Sequence, residues 1–413
     1  MSEKKDIFSL VSFASIGNLI PIISLPFLVK LYSPEQFGQV TLYTVFLIIF
    51  SNILSLKYDQ AILVSKNKDE TITLFLSSLT LTIFSSILIL TLVLLSYLFL
   101  NFSLDNIFLI FFGIIFQFLI STIFIYHNRN MNISFMNLSK TLPLILYVLV
   151  AFTLPFFNLD LNQPLVYTRL ISLFISSIVL IFGIYSDFSN YSFSIEKSKK
   201  VLQEYINYPK NILPSKALNM ISKNSIDIFI SILFGNAILG IFSISRRIVS
   251  IPEMVISRPL ETYFRRKVFT NNSLNTKKLK TTFFKYFKNI SISSLFVYLS
   301  LVFIAPEILP YIFTGKEWGD IIPVVTVLSL GYTVSFVVVP FMSVFRILKI
   351  EKYEMIFQTV FFFAISVLFT SVIVFDLKYN YFLELFNLQR IIVFVFCIIL
   401  ILKLILKKEY ERV

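Results

Sequence analysis

A chain of 413 residues that is 57% hydrophobic and only 14% charged lies outside the composition of water-soluble domains, which are about a quarter charged. Its net charge of +13 would suit a nucleic-acid binder, but the charges gather at the ends of apolar runs, which excludes that reading. One cysteine, Cys397, and one histidine, His127, exclude a disulfide framework, a cysteine-based metal site and a histidine cluster, and no cofactor is expected.

The apolar runs are each roughly 20 residues long, enough to cross a hydrocarbon core of about 30 Å as helix. They lack period-two alternation, so helices rather than a barrel are predicted. Spans are predicted at 7–31, 39–64, 71–100, 107–126, 141–157, 165–185, 213–234, 239–264, 289–305, 321–345, 355–375 and 382–402. The expected fold class is an all-α polytopic membrane protein of about twelve transmembrane helices, in two six-helix bundles around a central cavity.

The start, MSEKKDIFSLVSF, leads into the first span and shows no cleavage pattern, so that span is expected to stay as an anchor. It carries Ser15 and Asn18, then Pro21 and Pro26, which should bend it. Asn52, Ser55 and Asp59 share a face of the second span, and Gln117 and Ser121 a face of the fourth. His127 closes the fourth span as an interfacial residue, and the sixth carries Arg169.

The charged segment 186–212 divides six spans from six. The expected organisation is therefore an N-terminal bundle over 1–185, a cytoplasmic linker over 186–212 and a C-terminal bundle with a cytoplasmic tail over 213–413. Segment 37–61 can be laid on 239–263, aligning Gly38 with Gly240 and Asp59 with Glu261, a sign of internal duplication. Repeats of this kind are a common transporter architecture.

In the seventh span Lys216, Asn219, Lys223 and Asp227 stand at i, i+3, i+7 and i+11, one helical face. Such a stripe lines a cavity, or else Lys223 and Asp227 neutralise one another as an i, i+4 pair. The eighth span carries Arg246 and Arg247, then Glu253, Arg258 and Glu261; Arg246 falls roughly 12 Å below the outer surface. Lys30, Lys57, Lys216 and Arg258 lie near span ends, where snorkelling to the interface is the plain reading. Spans nine to twelve hold mainly Glu384 and Arg390. Ionisable groups at these depths are costly and face a cavity or a partner, and here cations exceed anions, which suits a negatively charged ligand.

Lys and Arg crowd alternate loops, and only Lys316 and Lys378 fall in the intervening ones. The positive-inside rule then predicts both termini in the cytoplasm. The longest outer loop, 306–320, offers Glu307, Glu317 and Asp320, which read as solvated acids; no nucleophile–base constellation is present, so an enzyme is not expected.

Three stretches carry a family resemblance. They are PFLVKLYSPEQFGQVTLY at 26–43 with KYDQAILVSKNKDE at 57–70; YINYPKNILPSKALNMIS at 205–222 with ILFGNAILGIFSISRRIVSIPEMV at 232–255; and APEILPYIFTGKEWGDIIPVVTVLSL at 305–330. In order and spacing the set resembles the Wzx-type polysaccharide and O-antigen flippases of the multidrug/oligosaccharidyl-lipid/polysaccharide exporter superfamily. The resemblance implies alternating access without ATP and an undecaprenyl-pyrophosphate-linked glycan as the cargo, in a bacterial cytoplasmic membrane. It implies that Arg246, Lys223 and Arg169 engage the pyrophosphate or acidic sugars, and Arg247, Asn219 and Asn18 are further cavity candidates. Asp59 and Asp227 become the candidates for ion coupling. Membrane lipids and other glycan assembly proteins are the expected partners. A drug/cation antiporter of the same superfamily, which should show acids dominating its cavity, is the alternative; a membrane oligosaccharide polymerase is a further one.

Overall fold

The computed structural model describes residues 20–100, 104–189, 191–257, 259–261, 264, 268–270, 273–274, 276–314, 316–348, 350 and 352–410. Among them, ten helices are long and apolar enough to cross a membrane. Two further segments complete the predicted twelve. Residues 20–31 are helical with a turn at Ser24, between the two prolines expected to bend the first span. Helix Asn236–Pro252, at 17 residues, is the eighth. The remainder of the first span, with Ser15 and Asn18, lies outside the described residues, as does Arg258. The protein is a multi-pass, all-helical membrane protein, apart from a two-residue antiparallel ladder pairing Phe269 with Leu274 and Thr270 with Ser273.

In chain order the helices are α1 (Leu25–Leu31), α2 (Pro34–Ile53), α3 (Tyr58–Ala61), α4 (Lys68–Leu100), α5 (Leu104–Arg129), α6 (Ile133–Thr153), α7 (Pro164–Phe182), α8 (Tyr185–Phe188), α9 (Ile195–Glu204), α10 (Leu213–Phe234), α11 (Asn236–Pro252), α12 (Thr276–Ile312), α13 (Ile321–Val338), α14 (Ser343–Ile347), α15 (Lys352–Val374) and α16 (Tyr379–Tyr410). The chain forms two compact units, Met1–Ser231 and Ile232–Val413.

In the first unit α5 is central, packed against α2, α4, α6 and α7. Lipid tails are as apolar as leucine, so helices here associate through close backbone approach and polar bonds rather than through hydrophobic burial. Gly113 supplies the approach: a Cβ there would lie 2.1 Å from the Tyr43 hydroxyl, which donates to the Leu109 carbonyl at 2.8 Å. The start of α2 is set by the Ser-Pro-Glu-Gln run. The Ser33 hydroxyl accepts from the Gln36 N–H, the Gln36 amide accepts from the Ser33 N–H, and Pro34 fills the first helical turn.

The predicted second span, 39–64, is not one helix. It ends at Ile53, and Leu56 and Lys57 take left-handed φ values of 50° and 63° before α3 begins. Two consecutive non-glycine residues in that region cost about 1–2 kcal/mol each, so local bonds must hold the break.

The 186–212 segment belongs to the first unit and is bonded to its helices. Ser77 donates to Ser198 at 3.0 Å, Tyr58 to the Leu202 carbonyl at 3.1 Å, and Lys66 pairs with Glu204. Asp187 accepts from Lys68 and, at 2.8 Å, from Tyr126. These two bonds hold the Asp187 carboxyl below the ordinary carboxylate range. Burial, with Glu70 beside it, pushes the Tyr205 phenol up to about 12.

In the second unit α13 is central, packed on α11, α12 and α16. Ser294 donates to the Thr333 carbonyl at 2.7 Å, Tyr298 to the Val249 carbonyl at 3.2 Å, and Ser257 to the Phe336 carbonyl at 2.9 Å. Gly235, at φ 88°, makes the tight connection from α10 into α11. After Pro252 the helix widens into a π-type turn over Glu253–Ser257.

Candidate functional site

Polar groups in the first unit form two separate assemblies. The first surrounds the break after α2. Lys57 and Asp59 are each 5% exposed. The Lys57 ammonium donates to Asn52 at 2.5 Å. Asp59 accepts from the Ser55 hydroxyl at 2.8 Å on one carboxylate oxygen and from the Gln60 amide at 3.1 Å on the other. The stripe Asn52, Ser55, Asp59 is therefore a closed bonding set that secures the left-handed turn. Lys57, read from sequence as able to snorkel, is buried instead.

The second assembly is open. Between α5, α6 and α7 lies a cavity of about 300 Å³, lined on its polar side by Gln117, Ser121, Lys140 and Arg169 and on its apolar side by Ile120, Phe124, Leu144 and Leu173. An Arg169 guanidinium N–H donates to the Gln117 side-chain oxygen at 3.3 Å, so the sixth-span arginine and the fourth-span polar face meet here. The Lys140 ammonium stands 4.4 Å from the centre of the Phe124 ring, a cation–π contact. No carboxylate lines the cavity among the described residues.

Lys140 is the residue that the sequence reading missed. It was placed in a loop before a span beginning at 141, whereas α6 begins at Ile133 and puts Lys140 about 10 Å along the helix. The signal was Asn132, whose side chain caps α6 by accepting from the Phe135 N–H at 3.3 Å.

The seventh-span stripe lies on α10: Lys216 and Lys223 are exposed, Asn219 is half-buried, and Asp227 is buried at 3% exposure. In the second unit Arg246 and Arg247 on α11 are half-buried. The Arg246 guanidinium lies 5.3 Å from the Phe242 ring centre one turn earlier. Glu384 is exposed. Arg390 is neutralised: it lies 3.9 Å from Glu253, donates to the Ser335 hydroxyl at 3.0 Å, and stacks 3.7 Å from the Tyr332 ring centre. Ser335 in turn donates to Glu253 at 3.2 Å, closing the set.

A helical membrane protein with these elements has the fold of a transporter. It resembles an inward-facing multidrug resistance MATE family transporter of the MOP superfamily, with a TM-score of 0.68 and 13% identity over 95% of this chain and 96% of that one. It is also similar to the MATE multidrug transporter DinF-BH, with a TM-score of 0.62 and 18% identity over 97% and 95% of the two chains. A third likeness, with a TM-score of 0.60 and 13% identity over 97% and 96%, is to a MOP superfamily transporter from Pyrococcus furiosus for which a reversed polarity of the binding pocket suggests a different function. None of the curated proteins matches the chain. A family model described as polysaccharide biosynthesis protein matches residues 27–323, and the chain belongs to that family.

Proposed function

We propose that the protein is a flippase that carries undecaprenyl-pyrophosphate-linked oligosaccharide repeat units, for O-antigen or capsule, from the cytoplasmic to the outer leaflet of a bacterial cytoplasmic membrane. The observation that carries this reading is the coincidence of polysaccharide-biosynthesis family membership with a transporter fold. The cation-lined cavity of the first unit supports it, since Arg and Lys removed from water bind phosphate oxygens strongly. Transport proceeds by alternating access, with both termini in the cytoplasm. The protein acts as a transporter rather than an enzyme.

Arg169, Lys223, Asn219 and Asn18, together with Arg246 and Arg247, are the proposed headgroup contacts, and Asp59 and Asp227 the proposed ion-coupling acids. For Asp59 the bonds from Ser55 and Gln60 also support a structural part. Replacing Arg246 or Lys223 with Ala is expected to block glycan display while the protein still inserts. Undiminished display in both variants removes them from the assignment.

The second reading, a drug/cation antiporter, draws on the likeness to multidrug transporters. It asks for an acid-lined cavity, whereas the cavity of the first unit carries two cations. Robust export of cationic dyes by cells producing the protein would favour it.

A further inference from the structure

The two long charged segments on the side proposed as cytoplasmic are compensated differently. Segment 186–212 carries four lysines and three acids, and its Asp187 and Glu204 are bonded to Lys68 and Lys66. Segment 265–288 carries eight lysines and arginines and no acid. Its last turns belong to α12. There Lys285 and Lys288 are exposed and, among the described residues, pair with no carboxylate.

The opposite face of α12 fixes the direction in which these lysines stand. Phe283 sets its ring 4.6 Å from that of Phe341, and Ser294 and Tyr298 donate to the Thr333 and Val249 carbonyls. Lys285 and Lys288 are thereby held outward. From Lys285, the residues Ile292, Phe296, Leu299 and Phe303 follow at i+7, i+11, i+14 and i+18, the same helical face, and all four are exposed. Ile292 to Phe303 covers about 16 Å along the helix, roughly one leaflet of a hydrocarbon core about 30 Å thick. The occupant of this face therefore meets two demands at once, negative charge at the lysines and hydrocarbon along the next three turns. An acidic protein or a nucleic acid meets only the first, and a neutral lipid only the second. An anionic phospholipid meets both.

We infer that the face of α12 from Lys285 to Phe303 holds an anionic phospholipid of the leaflet it borders, which is the cytoplasmic leaflet in the proposed orientation. The phosphate accepts from the Lys285 and Lys288 ammonium groups, and the acyl chains lie along Ile292, Phe296, Leu299 and Phe303. The inference goes beyond the proposed function and takes from it only the orientation; the identity of the cargo does not enter. Because the lipid binds the folded chain, it also raises the stability of that chain.

The test is native mass spectrometry of the purified full chain in a neutral detergent, with phosphatidylglycerol, chain-matched phosphatidylcholine, dihexanoyl phosphatidylglycerol and glycerol phosphate as probes. Phosphatidylglycerol is expected to be retained more tightly than phosphatidylcholine and to raise the unfolding temperature. Lys285→Gln and Lys288→Gln should each lower phosphatidylglycerol affinity about fivefold, and the double replacement more than either, with phosphatidylcholine binding unchanged. Lys285→Arg with Lys288→Arg should retain binding, which separates lost charge from lost folding. Lys378→Gln, exposed between α15 and α16, should bind as wild type.

Weaker binding of the dihexanoyl lipid than of the long-chain one supports the apolar stripe as part of the site. Equal retention of phosphatidylglycerol and phosphatidylcholine, or unchanged affinity in the folded double glutamine variant, overturns the inference. Displacement of the lipid by an equal concentration of glycerol phosphate also overturns it, because the site then takes a free anion. Displacement by a polyglutamate peptide overturns it in favour of an acidic protein.

Discussion

The two units surround the cations of their membrane spans differently. In the second unit Arg390 lies beside the Glu253 carboxylate, the Ser335 hydroxyl and the Tyr332 ring. In the first unit Arg169 and Lys140 share a cavity lined by no carboxylate among the described residues, and their neighbours there are an amide and an aromatic face. A charge removed from water needs compensation, and the molecule supplies it internally at Arg390. Lys57 is the useful intermediate: it belongs to the first unit yet is closed off, bonded to Asn52 beside a fully bonded Asp59. A buried cation is thus not in itself a binding residue, and the partners around it decide.

The sharpest way to break this contrast is to remove one partner from the closed set. Glu253→Ala should destabilise the protein by about 3 kcal/mol, because it strands Arg390 without its anion. The double replacement Glu253→Met with Arg390→Met should recover most of that loss. Thermal unfolding in detergent checks both, and a Glu253→Ala protein as stable as wild type would show that the pair is not what holds Arg390.

Lys57→Ala should cost about 2 kcal/mol by the same measurement, the worth of a charged hydrogen bond together with the loosened turn at Leu56 and Lys57. Arg169→Ala should reverse the pattern, leaving the unfolding temperature nearly unchanged and lowering glycan display about tenfold, which corresponds to about 1.4 kcal/mol.

The smallest effect is expected at Asp187. Its folded carboxyl titrates below the ordinary range, so the stability it contributes is present above the usual carboxylate value and is lost as pH falls through the folded one. Asp187 is 34% exposed and its partner Lys68 60%, so solvent screens the pair, and Asp187→Asn should cost under about 1 kcal/mol and mainly flatten the acid side of the stability profile.

Much of the fold was legible because lipid leaves the backbone few options. The span predicted at 213–234 coincides with α10, and that at 71–100 differs from α4 by three residues at its start. The misses have physical reasons. Hydropathy sees composition and not φ, so the left-handed turn at Leu56 and Lys57 inside an apolar run was invisible. The predicted start of the fifth span falls after Lys140 because the first turns of α6 interleave Ser134, Asn137, Ser139 and Lys140 with apolar residues, which places Lys140 outside the predicted span. The site was legible only in part. Arg169 and the Gln117, Ser121 face could be read from spacing, but their meeting across α5 and α7, and the pairing of Arg390 with Glu253, are tertiary facts that one sequence does not display.

The central claim is that this chain moves a lipid-linked glycan across the membrane, and its most direct measurement is the leaflet distribution of undecaprenyl-linked repeat units in cells that lack the protein. The account predicts that the units accumulate on the cytoplasmic leaflet, that the wild-type chain restores their passage, and that the Arg169→Ala chain does not. Units reaching the outer leaflet at the normal rate without the protein would contradict it.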